Sequence, residues 1–189
     1  MPRVKLFNEV EALEKAINLF WEKGYADTSL TDLTERLGIS KGSFYATFTS
    51  KRALFDNAFS VYRKSNINFL ETMLNSESDV KTGIRKLFEF NLEQAFNDKN
   101  RKGCFVANTC SEMGGADEGI RNHLKSHHKA VHTILSKYLQ KESEVKGFDS
   151  NQVSDVYITF LTGINQEVKF KEDKKRIAKS VDLMVSLIE

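Results

Sequence analysis

Proline is almost missing from this 189-residue chain, where it occurs once, at Pro2. A proline inside a helix removes a backbone hydrogen bond and clashes with the preceding turn, so beyond Pro2 no residue type forbids helix. Cysteine is scarce too, at Cys104 and Cys110. Two cysteines make neither a disulfide framework nor a four-cysteine zinc site, and reduced thiols fit a cytosolic protein. No apolar run reaches the roughly 20 residues that span a bilayer. The opening MPRVKLFNEV has no apolar stretch or small-residue cleavage site, so no signal peptide, no membrane partner and a cytoplasmic location are expected. Net charge is only +2, which says little about partners. Enzyme signatures are lacking as well: there is no glycine-rich phosphate loop after a strand, no nucleophile elbow and no paired-carboxylate motif. The expectation is therefore no enzyme and no cofactor. The four histidines, His123, His127, His128 and His132, fall on one predicted helix. Their one-turn pairs 123/127 and 128/132 point in different directions at 3.6 residues per turn, so no metal site is expected.

Helical periodicity fills the chain. A first helix is expected over 8–24, with Val10, Leu13, Ile17 and Phe20 inward. Ser29 followed by Asp32 signals a helix start; Leu30, Leu33 and Leu37 then recur at helical spacing. Gly38 stops that helix by tolerating a left-handed conformation, Ile39 plugs the turn, and Ser40 caps a second short helix carrying Phe44 and Phe48. Two short helices around a glycine-containing turn make a helix-turn-helix over 29–48, whose second helix is sized to enter a DNA major groove. Ser40, Lys41, Ser43, Tyr45, Thr47, Lys51 and Arg52 cluster there. From Arg36 to Arg52 the sequence holds four cations (Arg36, Lys41, Lys51, Arg52) and no acid, although the first 60 residues are balanced overall. Only this local distribution could bind phosphate.

With its upstream helix the pattern becomes specific. Ala16-Ile17-Asn18-Leu19-Phe20, Gly24-Tyr25, Thr28-Ser29-Leu30, Asp32-Leu33, the run Leu37 to Tyr45, Phe48, Ser50-Lys51 and Leu54 resemble the N-terminal domain of tetracycline-repressor (TetR) family transcriptional regulators. The resemblance covers residues 8–60, with Gly38 to Lys51 its most diagnostic part. It departs at Glu9, where arginine is frequent, and at Ala12, where a larger aliphatic is usual. It implies an all-α protein: a three-helix DNA-binding domain over 1–50, a linking helix over 51–74, and a helical effector-binding and dimerisation domain over 75–189. It further implies a repressor, released from a palindromic double-stranded DNA operator by a small organic effector. The resemblance assigns a phosphate contact to Thr28, as helix cap, and to the Tyr45 phenol. Lys41 and Ser43 sit where bases or phosphates are reachable, Gly42 permits close backbone approach, and Lys51 after the cap Ser50 could share a phosphate with a helix N-terminus.

Beyond the motif, a long helix is expected to carry Leu54, Ala58, Val61, Tyr62, Phe69 and Met73 as one stripe. Helices follow over 79–97, over 104–113 as a buried short helix, over 118–141, over 150–169 after a turn at Lys146-Gly147-Phe148, and over 172–188. The last two are apolar on two sides, which predicts a homodimer through Val153, Val156, Phe160, Gly163, Ile177, Val181 and Met184. Lys169, Lys171, Lys174, Lys175 and Arg176, interleaved with Glu172 and Asp173, read as a solvated junction. Candidate pocket residues are Tyr62, Asn91, Cys104, Asn108, Cys110, His128 and Tyr157, and the sparse charge of the mid-helix stretches favours an uncharged or weakly polar effector. An alternative is redox or electrophile sensing through Cys104, since nearby cations and a helix N-terminus would lower its thiol pKa.

Overall fold

The computed structural model describes residues 8–141, 149–170 and 173–188; the turn expected at Lys146-Gly147-Phe148, together with Lys171 and Glu172, lies outside the described residues. Among the described residues all regular structure is helical: α1 (Glu9–Lys23), α2 (Leu30–Leu37), α3 (Lys41–Phe48), α4 (Lys51–Asn75), α5 (Val80–Asn97), α6 (Phe105–Met113), α7 (Glu118–Leu139), α8 (Ser150–Glu167), a 3-10 turn (Val168–Phe170) and α9 (Lys174–Val185). None is long and apolar enough to cross a membrane. The chain divides into two compact units, one ending at Lys64 and the next starting at Ser65, so the division falls inside α4.

Local chemistry sets the helix ends of the first unit. The Asn8 side chain accepts from the Val10 N–H at 2.9 Å and starts α1. Ser29 and Asp32 form a reciprocal capping box: the Asp32 N–H donates to Ser29 Oγ at 3.0 Å and the Ser29 N–H to Asp32 Oδ2 at 2.8 Å. Gly38 takes φ 68° and ends α2, a conformation that glycine adopts without a Cβ penalty. Ser40 Oγ then accepts from the Ser43 N–H at 3.1 Å and starts α3.

The core of this unit differs from the expected faces. In α1 the buried residues are Ala12, Ala16, Leu19 and Phe20, whereas Val10 is 64% exposed and Leu13 and Ile17 are only half-buried. The inward stripe of α1 is thus led by two alanines, whose small side chains permit close helix packing but carry little weight in a hydrophobic pattern. In α4, Leu54, Phe55, Ala58 and Phe59 are buried while Val61 points outward. Phe55 is the hub: its ring meets Phe20 edge-on at 5.1 Å and Tyr25 at 4.9 Å, and stacks on Phe59 at 5.7 Å. Leu33, Leu37, Phe44 and Phe48 complete the core.

The second unit is built on α5, α7, α8 and α9. Val80, Ile84, Leu87, Phe88 and Ala95 are buried, as the α5 periodicity predicts. Leu70 and Leu74 enter this core from α4, with Met73 half-buried against it and Phe69 largely exposed. Tyr138 lies over Gly83: a Cβ there would stand 2.1 Å from the Tyr138 hydroxyl, which donates to the Asp79 carbonyl at 3.2 Å. In α6 only Phe105, Thr109 and Met113 are buried, so this helix is one-sided rather than wholly buried.

The expected dimer residues separate. Val153, Ile177 and Val181 are buried in the chain's own core beside Tyr157, Ile164 and Val185, which corrects their placement on a surface. Phe160 and Met184 are half-buried against that core, Phe160 edge-on to Phe88 at 5.2 Å. Val156 and Gly163 face outward, with Leu183 on α9 at 62% exposure. The reason is helical phase: 153, 157 and 164 share one face of α8, and 156 and 163 share another. Arg85 pairs with Asp182 at 2.7 Å between α5 and α9, and Lys174 pairs with Glu93 between the same two helices.

Candidate nucleic-acid interface and ligand cavity

On α3 the two sides are chemically distinct. Phe44 and Phe48 are buried and hold the helix to its unit, while Ser40, Lys41, Gly42 and Tyr45 are exposed and Ser43 and Thr47 half-exposed. The Ser40 and Ser43 hydroxyls lie 3.0 Å apart. Tyr45 is 52% exposed, with its ring edge-on to Phe44 at 5.5 Å. A Cβ at Gly42 would meet nothing nearer than Ser40 Oγ at 3.8 Å, so glycine there is not required by internal packing. Lys51, at the start of α4, holds its ammonium 4.4 Å from the centre of the Tyr25 ring, and Ser50 Oγ accepts from the Ala53 N–H at 3.0 Å. The α3 face thus gathers Ser40, Lys41, Gly42, Ser43 and Tyr45 at a free surface rich in donors.

Two expectations change here. Thr28 is fully buried and its hydroxyl donates to the Gly24 carbonyl at 2.6 Å, while Ser29 is the cap of α2. Thr28 braces the α1–α2 connection, with its side chain turned away from solvent. The basic patch is also smaller than its residue count, because Arg36 pairs with Glu22 at 2.8 Å and Arg52 with Asp56 at 2.9 Å. Glu22 lies well before the patch in sequence, and Asp56 closes an i, i+4 pair just past it.

The joint between α3 and α4 carries backbone strain. Thr49 adopts φ 61° and ψ −43°, and the Ser50 N–H donates to the Phe48 carbonyl at 2.6 Å. That is a γ-turn of the rare positive-φ form, disfavoured for a β-branched residue. It joins α3 to α4, and no composition signal marks it.

The second unit carries an open cavity of about 660 Å³ walled by α4, α5, α6, α7 and α8. Asn91, Cys104, Cys110 and His128 stand on its wall. The other three pocket expectations do not. Asn108 donates to the Lys102 carbonyl at 2.7 Å and accepts from Lys169 at 2.5 Å. Tyr157 is buried and donates to the Met184 carbonyl at 3.0 Å, and burial raises its phenol pKa above the ordinary value. Tyr62 belongs to the first unit, edge-on to Trp21 at 5.4 Å. Wall residues that the sequence did not reveal include Phe69, Phe90, Leu161, Arg121 and Lys125. The available signal was the i, i+4, i+7 spacing of Arg121, Lys125 and His128 on α7.

At Cys104, burial pushes the thiol pKa up, against smaller opposing effects from the Ala107 and Val106 N–H groups and from Lys169. The expected thiolate activation is therefore reversed: desolvation outweighs the helix start and the cation. His128 and His132 stack at 6.5 Å and His132 meets Asp155 at 3.5 Å. Among the described residues no group of three or more His, Cys, Asp or Glu is placed to hold a metal.

Two family models match: residues 12–58 match "Bacterial regulatory proteins, tetR family", and residues 81–184 match "Tetracyclin repressor-like, C-terminal domain". The chain is 34% identical over 139 residues to the HTH-type transcriptional repressor ComR of Escherichia coli (strain K12), spanning 72% of this chain and 66% of that one. It is 26% identical over 200 residues, covering all of both chains, to the uncharacterized HTH-type regulator YezE of Bacillus subtilis (strain 168). A solved structure of a cysteine-substituted form of the regulator CifR, in complex with 26 bp double-strand operator DNA, shares the fold at TM-score 0.84, with 23% identity and 98% coverage of each chain.

Proposed function

This chain belongs to the tetR family of bacterial regulatory proteins, and on that premise we propose that it is a homodimeric repressor, released from a palindromic operator by a small organic effector. The observation that carries the reading is the two-sidedness of α3, where Phe44 and Phe48 fix the helix and Ser40, Lys41, Gly42, Ser43 and Tyr45 stand outward. In this reading, residues 1–50 form the DNA-binding domain, 51–74 the linking helix and 75–189 the effector-binding and dimerisation domain. Tyr45 and Ser43 donate to phosphates, and Lys41 and Lys51 supply charge to the backbone. Gly42 lets the helix approach the groove. Two copies joined by a two-fold, with Val156, Gly163 and Leu183 in the contact, place two α3 helices on successive half-sites. The effector occupies the 660 Å³ cavity, a volume inside the range of small-molecule sites. It acts by binding the DNA-incompetent state more tightly; a differential of about 10⁴ switches the population almost fully. That ComR is a repressor supports repression here.

Footprinting on the DNA flanking the chain's own gene, with Tyr45→Ala as control, tests the reading. A protected palindrome lost in the variant is expected. Equal protection by both proteins would refute the assignment of α3 as the reading helix.

A further inference from the structure

The cavity of the second unit is charged on one side only. Its wall contains no aspartate or glutamate, and its formally charged side chains are Arg121 and Lys125. Both come from α7, together with His128, at i, i+4 and i+7, so one face of one helix presents all three. The guanidinium of Arg121 is held in place: its Nε donates to the Gly114 carbonyl at 3.0 Å and a terminal nitrogen to the Gly115 carbonyl at 2.7 Å. These carbonyls leave its charge uncompensated, and among the described residues no carboxylate pairs with Arg121 or Lys125. The rest of the wall is mainly apolar. Phe69 and Phe90, their rings 4.7 Å apart, line it with Leu87, Ile158 and Leu161.

We propose that the effector is an amphipathic organic acid, its anionic head at Arg121 and Lys125 and its hydrocarbon body against Phe69, Phe90, Leu87, Ile158 and Leu161. The inference rests on the reading of this cavity as the effector site and replaces the uncharged or weakly polar effector expected from the sequence. Its physical basis is selective attraction. Both cations are exposed where they stand on the wall, so a neutral apolar molecule in the space gains nothing from them, whereas a carboxylate pairs with both while its chain covers the aromatic side. A cationic amphiphile is repelled by the same two charges.

Decanoate, 1-decanol and decylamine share one chain and differ in head-group charge, so they serve as probes of the full-length protein by isothermal titration calorimetry near neutral pH. Decanoate is expected to bind about tenfold or more tighter than decanol, the worth of a charge-assisted contact, with decylamine weakest. In Lys125→Gln the acid–alcohol gap should narrow while decanol affinity and melting temperature stay unchanged. This variant is preferred because Arg121 also holds the α6 end. Decanol binding as tightly as decanoate overturns the proposal, as does a gap that survives both Lys125→Gln and Arg121→Gln. Ala107→Phe, which fills the wall, separates the two levels. If decanol binds and this variant abolishes it, with no preference for the acid, the cavity remains a ligand site and only the acid assignment falls. If none of the three binds, both fall.

Discussion

Replacing Tyr45 by phenylalanine removes one oxygen and leaves the ring in place. In the free protein this oxygen makes no hydrogen bond with a described residue, and the side chain is 52% exposed with its ring resting on Phe44. The fold should therefore lose no more than about 0.5 kcal/mol. On DNA, a phenol donating to a phosphate makes a charge-assisted bond worth about 1.5 kcal/mol. A dimer loses two of them, about 3 kcal/mol, or roughly 150-fold in Kd. No charge is removed, so the slope of log K against log salt should not move. Lys41→Gln is the counterpart: it should lower that slope by about 0.9 per lost phosphate contact, or about 1.8 per dimer. Fluorescence anisotropy on the footprinted segment across a salt series, with thermal melts of each variant, reads both. Unchanged affinity of Tyr45→Phe, or an affinity loss that tracks a fall in melting temperature, would refute the placement of this phenol on phosphate.

Three further outcomes follow from the packing. Gly83→Ala should destabilise the second unit by about 1–3 kcal/mol, since its methyl must displace the buried Tyr138 hydroxyl; an unchanged denaturant midpoint would contradict that contact. Thr49→Gly should raise stability by about 1 kcal/mol by relieving a positive-φ turn at a β-branched residue, and a lower melting temperature would mean that the turn is not strained. Lys23 and the Ser29 side chain and N–H hold the Asp32 carboxyl well below the usual carboxylate range. Because its folded pKa is depressed, its contribution is present above the unfolded value near ~3.9 and is lost as pH falls through the folded one. Asp32→Asn should accordingly lower the melting temperature at neutral pH and flatten its decline below about pH 4; parallel profiles would refute the linkage.

Much of the fold was legible before any coordinates. The helix starts at Ser29 with Asp32 and at Ser40 were readable from their side-chain caps, whereas the caps Asn8, Asp79 and Asp173 carry no partner pattern as plain. The exposed set on α3 was readable too, because Phe44 and Phe48 so clearly claim the inward face. Helix faces were not. Val10 and Val61 match the apolar pattern yet point outward, while Ala12 and Ala16 are the residues that α1 buries. Thr28 matches a family role in sequence and is buried by its bond to Gly24. Cys104 sits by cations and a helix start, but desolvation dominates its thiol.

The difference is one of range. Caps, stops and the helix-turn-helix depend on side chains reaching backbone groups within about four residues, so the amino-acid order alone determined them. Which side of α8 is core, and which residues wall the cavity, depends on helices far apart in the chain meeting in space. Tertiary structure alone decided that Val153 is buried while Val156 is not, and that Arg121 and Lys125 share a cavity with Phe69 and Phe90.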